Sequence, residues 1–250
     1  MSSEQIKALV FDVFGTVVDW RGSIVREGKR VWRERGVDVD WPAFADAWRG
    51  LYQPAMERVR SGNIGFVKLD DLHRENLEQV LQDFNVKGLS EQQKDELNRV
   101  WHRLDPWPDT VSGLTRLKSK FIIGTCSNGN IALMVNMAKR AGLPWDCILG
   151  AEVARQYKPH PDAYLNSVAA LDLSPQQCVM VAAHNNDLVA AGEQGLNRAF
   201  VARVGEHGEN QGADLRAEHA FEWIATDFND LADQLGCASA LQTTIKNFKS

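Results

Sequence analysis

Three short apolar runs each end in a polar cluster, and a lysine stands between the second and the third. Asp12 follows Ala8-Leu9-Val10-Phe11, Ser127-Asn128-Gly129 follow Phe121–Cys126, and His184-Asn185-Asn186-Asp187 follow Cys178–Ala183. Lys158-Pro159 precedes the helical segment that leads to the third run. Brought to one mouth, these residues supply two carboxylates, an ammonium, an imidazole, a hydroxyl and an amide. Such a set suits covalent catalysis by a carboxylate, with acid–base groups beside it. Each residue also has a plainer use: Asp12 capping a loop, Ser127 or Asn128 starting a helix at Gly129, Lys158 solvated on a loop, His184 structural. Lys158 is nevertheless the charge that Asp12 and Asp187 need if they share a mouth, and that need favours the chemical reading.

Those runs are too short for helices and too apolar for exposed strands, so they read as strands buried on both faces. A fourth run, Ala199–Ala202, is similar. Helical patterns at 109–119, 131–141, 161–171 and 187–195 separate them. Strands alternating with helices predict an α/β fold, a doubly wound parallel sheet of Rossmann-like form, whose site lies at the carboxyl ends of its strands. Between Trp20 and Leu104 the pattern changes to four amphipathic helices, near 23–35, 42–60, 68–84 and 91–104. Asp40 before Trp41-Pro42 and Ser90 with Gln93 are helix-start signals. The expected division is a core of residues 1–19 and 105–237, an inserted helical cap of 20–104, and a polar C-terminal tail of 238–250.

The chain has 250 residues and a net charge of −5, which gives no electrostatic footprint for nucleic acid or anionic lipid, and neither partner is expected. With 44% hydrophobic and 24% charged residues it can build a sizeable core. No apolar stretch is long enough to span a bilayer, and MSSEQIK lacks the pattern of a signal peptide, so a cytoplasmic protein is expected. The four cysteines form no C-x-x-C and sit mostly in apolar runs, as buried thiols do. A homodimer is only the base-rate expectation for such a chain.

Taken in order, Phe11-Asp12-x-x-Gly15-Thr16, Ser127-Asn128, Lys158-Pro159 and Asp187 resemble the four motifs of the haloacid dehalogenase superfamily, over roughly residues 7 to 230. Phosphatases of that superfamily carry a second aspartate two residues after the nucleophile, where this chain has Phe14; an aromatic there resembles the 2-haloacid dehalogenases. Phe14 can neither give a proton nor take part in phosphate chemistry. The fourth cluster holds one carboxylate where phosphatases carry a pair for magnesium, so no metal and no cofactor are expected. Trp48-Arg49 matches a cap tryptophan–arginine pair of the family, which implies that Arg49 and Asn128 cradle the leaving halide. Tyr164 matches a family tyrosine near the lysine, and Thr16 belongs to the first motif.

The resemblance therefore implies hydrolysis of a short 2-haloalkanoic acid, with Asp12 forming the ester and Asp187 and Lys158 handling water. His184 is a competing base, and Ser127 with the backbone N–H groups after Asp12 holds the substrate carboxylate. His184 departs from relatives that have asparagine there. The alternatives are a magnesium-dependent phosphatase of a small phosphorylated metabolite and a binding protein without activity.

Overall fold

The computed structural model describes residues 6–209 and 211–238, so the expected polar tail falls outside the described residues except for Ala238. Strand β1 (Ala8–Phe11) is buried on both faces and pairs in parallel with β4 (Ile122–Thr125) on one side and β5 (Cys178–Ala182) on the other. Strands β6 (Asn197–Val201) and β7 (Trp223–Ala225) continue the parallel sheet in the order β4-β1-β5-β6-β7. Alternation along β1 sends Leu9 and Phe11 to one face and Ala8 and Val10 to the other.

Each face needs its own cover, and the helices divide accordingly. Leu114 and Leu117 of α6 (Thr110–Lys118), Met134 and Met137 of α7 (Ile131–Ala141), and Phe228 and Leu231 of α11 (Phe228–Gln234) pack on the first face. Tyr164 and Val168 of α9 (Pro161–Ala169) and Leu188 and Ala191 of α10 (Asn185–Glu193) pack on the second. A single turn, α8 (Ala151–Ala154), precedes the Lys158 loop. This is the doubly wound α/β architecture expected from the sequence.

A two-residue antiparallel ribbon, β2 (Val18–Asp19) with β3 (Asp105–Pro106), carries the chain out of the sheet layer and back. Between its strands lie α1 (Trp20–Glu27), extended by a π-helical turn at Gly28–Trp32, then α2 (Trp41–Gly50), α3 (Tyr52–Arg60), α4 (Leu69–Asp83) and α5 (Glu91–Asn98), with a 3-10 turn at Arg99–Arg103. These helices are called the cap below. The Asp40 side chain accepts from Ala43 N, and Ser90 and Gln93 form a reciprocal capping box. The sequence predicted one helix over 42–60; the structure breaks it at Leu51. Pro54 has no N–H to give the Gly50 carbonyl and its ring crowds that group, so one helix ends at Gly50 and the next begins at Tyr52.

Trp32, Trp41 and Trp48 are buried packing residues. None of the four cysteines is in a disulfide, and Cys126, Cys178 and Cys237 are buried. Among the described residues no helix is long and apolar enough to cross a membrane.

Candidate active site

The parallel register sets Phe11 opposite both Thr125 and Val181, so the residues that follow each strand emerge side by side. Asp12 is the first residue beyond β1 and is almost wholly buried. Its Oδ2 accepts from Thr16 Oγ1 at 2.7 Å, and Thr16 is itself pinned because its Oγ1 accepts from Ala183 N at 2.9 Å. Lys158 Nζ donates to Asp12 Oδ1 at 2.9 Å and also reaches Asp187 Oδ2. The other oxygen of Asp187 accepts from the Tyr164 hydroxyl at 2.6 Å. Burial alone would raise the Asp12 pKa, but Lys158, His184 and Thr16 outweigh it and hold the carboxyl well below the usual range. Burial likewise works against the Lys158 ammonium, and the two carboxylates more than offset it, so the lysine stays charged. Burial and the charge of Asp187 push the Tyr164 phenol up, which keeps it protonated and able to donate to Asp187.

His184 is the residue just before α10, and its side chain lies between two carboxylates. Its Nδ1 lies 3.2 Å from Asp12 Oδ2 and its Nε2 is 2.9 Å from Glu206 Oε2. Burial opposes the imidazolium, yet Glu206 and Asp12 overcome it and raise the His184 pKa well above its ordinary value. These two carboxylates favour the charged imidazolium, which would act as a donor rather than as the competing base the resemblance implies. Glu206, 1% exposed, completes its contacts by accepting from Trp20 Nε1 at 2.9 Å. Burial would raise the Glu206 pKa, but His184, Arg49 and His207 together lower it. A Cβ at Gly15 would stand 2.0 Å from Glu206 Oε1, and Gly15 has φ +87, so only glycine lets the first-motif loop run beneath this carboxylate.

These groups open into a cavity of about 490 Å³ between the sheet and the cap, a size suited to a small organic molecule. Of the residues singled out in the sequence, Asp12, Arg49, Asn128, Lys158, Tyr164, His184 and Asp187 reach its wall. Asn128 Oδ1 accepts from Lys158 N at 2.9 Å, which leaves its NH2 as the donor free for a ligand. Arg49 stacks over Tyr52 with its guanidinium carbon 3.9 Å from the ring centroid, and lies 5.4 Å from Trp20 and 5.9 Å from Phe14. Its Nη1 is buried without a hydrogen-bond partner, a charged donor held ready on an aromatic floor.

Phe14 and Thr16 sit behind the wall, supporting Arg49 and Asp12 respectively. Ser127 is not on the wall: it is fully buried, and its Oγ accepts from Gly129 N at 3.1 Å. The helix after it begins at Ile131, two residues later than Gly129.

Sequence reasoning missed Glu206, Tyr52 and Arg60. Arg60 reaches from the end of α3 to donate to the Lys158 carbonyl at 3.0 Å. Glu206 had a signal, since it lies on the polar loop beyond β6, another strand carboxyl end. Tyr52 and Arg60 had none, because their placement depends on the turn at Leu51.

Comparison with known proteins agrees with this geometry. A family model described as haloacid dehalogenase-like hydrolase matches residues 6–195. The chain is 26% identical over 231 residues to (S)-2-haloacid dehalogenase 4A of Burkholderia cepacia, covering 85% of this chain and 90% of that one. Among solved structures, a defluorinating L-2-haloacid dehalogenase is 47% identical with a TM-score of 0.90, covering 92% of this chain and 95% of that one. A second L-2-haloacid dehalogenase is 45% identical with a TM-score of 0.89, covering 92% of this chain and 98% of its own.

Proposed function

Because the chain belongs to the haloacid dehalogenase-like hydrolases, and within them to the L-2-haloacid dehalogenase family, we propose that it hydrolyses short 2-haloalkanoic acids to 2-hydroxyacids and halide through an ester on Asp12. The observation that carries this reading is Arg49, which lines the same cavity as Asp12 and whose buried Nη1 has no protein partner. A buried charged donor left without a partner is costly unless an anion completes it. A departing halide is such an anion, and the NH2 of Asn128 supplies a second donor.

In this scheme an Asp12 carboxylate oxygen attacks the carbon bearing the halogen. The carbon–halogen bond breaks with its electron pair, and halide leaves toward Arg49 and Asn128. Water then attacks Cγ of Asp12, giving one proton to Asp187, which Lys158 and Tyr164 hold in place. Collapse breaks the bond from Cγ to the ester oxygen, and the hydroxyacid oxygen takes the proton. The net result is one hydroxyacid, one halide and one proton for each haloacid and water. Ser127, whose Oγ accepts from Gly129 N and keeps its own proton to donate, and the backbone N–H groups after Asp12 would meet the substrate carboxylate, as the resemblance implies.

A magnesium-dependent phosphatase would need a proton donor where Phe14 stands, and oxygen ligands where the Lys158 ammonium spans Asp12 and Asp187. The donor set does not fit that ion. We place the enzyme in the cytoplasm, where its four thiols stay reduced. One assay separates the readings: halide release from chloroacetate against phosphate release from p-nitrophenyl phosphate, each with EDTA and with added magnesium. Halide release indifferent to EDTA is expected. Phosphate release that requires magnesium would reverse the assignment.

A further inference from the structure

Asp12 presents two unequal oxygens. Oδ1 accepts from Lys158, whereas Oδ2 accepts from Thr16 Oγ1 and also has His184 Nδ1 in charge contact at 3.2 Å, a pair not yet aligned as a hydrogen bond. When Asp12 becomes an ester, one oxygen joins the substrate carbon and the other becomes the carbonyl. The oxygen with fewer donors keeps more free lone-pair density for attack, so Oδ1 becomes the ester oxygen and Oδ2 the carbonyl. Attack of water on Cγ then drives negative charge onto Oδ2, between a hydroxyl and an imidazole already in place.

We propose that His184 is the oxyanion donor of ester hydrolysis and that Glu206 is the positioning residue that aims it, a role resting on the Asp12 ester reading above. Glu206 suits the task by geometry. One of its oxygens takes His184 Nε2 and the other takes Trp20 Nε1, so the carboxylate cannot turn away, and Gly15 leaves it room from below. With Nε2 committed to a carboxylate, Nδ1 has only Asp12 Oδ2 to address.

The electrostatics agree from every side. Asp12 at the end of β1 faces Nδ1, and Glu206 on the loop beyond β6 faces Nε2. Arg49 from the cap and His207 beside Glu206 hold that carboxylate ionised, and Lys158 balances Asp12 from its other oxygen. Esterification removes the charge of Asp12, so in the intermediate Glu206 is the one carboxylate left in contact with the imidazolium. The proton on Nδ1 therefore stays in place during the step that needs it. In the tetrahedral intermediate the imidazolium donates to Oδ2 without surrendering its proton. When the carbonyl re-forms, the electron pair leaves with the hydroxyacid oxygen, which takes its proton from Asp187.

Glu206→Gln keeps the shape and removes the charge, and Glu206→Asp keeps the charge on a shorter stem. The His184 ring is titrated by NMR in histidine-labelled protein, assigned with His184→Asn, and rapid-quench mixing with 2-chloropropionate separates halide release from hydroxyacid release. In Glu206→Gln the His184 titration should fall by more than about one pH unit, since the imidazolium loses a contacting carboxylate. Halide release in the first turnover should hold near the wild-type rate. Ester hydrolysis should slow about tenfold to a hundredfold, less than the ~10²–10³ lost with an oxyanion donor itself. The ester should accumulate on the enzyme by mass, the deficit should grow at alkaline pH, and Glu206→Asp should restore much of the rate.

Equal slowing of both steps, or a His184 titration unmoved in Glu206→Gln beside a normal halide burst, overturns the assignment. A wild-type enzyme that releases no halide from 2-chloropropionate at all overturns the dehalogenase reading and the oxyanion role with it. The aiming of His184 by Glu206 is then judged by the titration alone.

Discussion

Arg49→Lys isolates the halide cradle because it keeps the positive charge and removes the planar fork. In the structure the guanidinium lies flat on Tyr52 at 3.9 Å, which fixes the direction in which its free Nη1 points. Lysine brings one compact, strongly hydrated charge on a flexible stem and cannot stack in the same way. A preorganised donor aimed at developing charge is worth about 2.7–4 kcal/mol, and the lost stacking on the aromatic floor about 0.5–2 kcal/mol more. The charge that lysine retains returns part of this, so the displacement step should slow by roughly 10²–10³. Ester hydrolysis develops no charge at the halide position and should change by no more than about threefold.

Rapid-quench measurement of halide and hydroxyacid over the first turnover reads the two steps separately. Wild type should show ester formation ahead of hydrolysis, and the variant should lose the burst because the first step becomes limiting. The deficit should also be larger for a chloride substrate than for a bromide one, since the poorer leaving group relies more on the donors. A variant that forms the ester at the wild-type rate would refute the cradle and make Arg49 a packing residue of the cap.

Asp12→Asn should abolish turnover, and a single turnover of wild type in heavy-oxygen water should put the label in the Asp12 side chain, read by peptide mass. Label found only in the hydroxyacid would mean that water attacks carbon directly. Backside displacement inverts the carbon and ester hydrolysis leaves it untouched, so an L-2-haloacid should yield the D-2-hydroxyacid by chiral chromatography; retention would remove the single-displacement scheme. The raised pKa of folded His184 means that its contribution to stability is complete below about pH 6.5 and is lost as pH rises through the folded value. The melting-temperature gap between wild type and His184→Asn should accordingly be widest near neutral or mildly acid pH and narrow on the alkaline side. A gap that widens with rising pH would contradict the charged imidazolium.

The parts of the molecule legible in the sequence are those set by local rules. The polar clusters beyond three strands announced Asp12, Asn128 and Asp187, because a buried parallel strand is apolar on both faces and the polar cluster after it marks the edge of the sheet. Asp40 and Ser90 announced their helices through side-chain caps. Strand β7 went unread because it is three residues long and Ile224 is exposed, too little for any periodicity. The ribbon that joins cap and sheet is shorter still, with two residues in each strand. Ser127 reads as a ligand because it stands beside Asn128, and in the structure its Oγ accepts from Gly129 N. A hydroxyl that turns back onto its own loop, to Gly129 N, has the same sequence signature as one that faces a substrate. Glu206 belongs to an irregular loop, and its value comes from His184 and Trp20, which are remote in sequence and meet it only in the folded chain.

The apolar interior on the cap side of the sheet does not stop at the ribbon. Leu9, Phe11 and Val179 from the strands join Phe14, Trp20, Trp48 and Trp101 in one continuous buried cluster. A lid that shares its hydrophobic interior with the body below it is not a modular part. Swinging it open as a rigid plate would expose that interior to water at about 25 cal/mol for each Å² uncovered. Opening the whole cap would therefore be a costly route for a ligand. For the same reason a graft of this cap onto another sheet would bring half of a core and leave the other half behind, so changes of specificity in this scaffold are better sought in single wall residues than in exchanged caps.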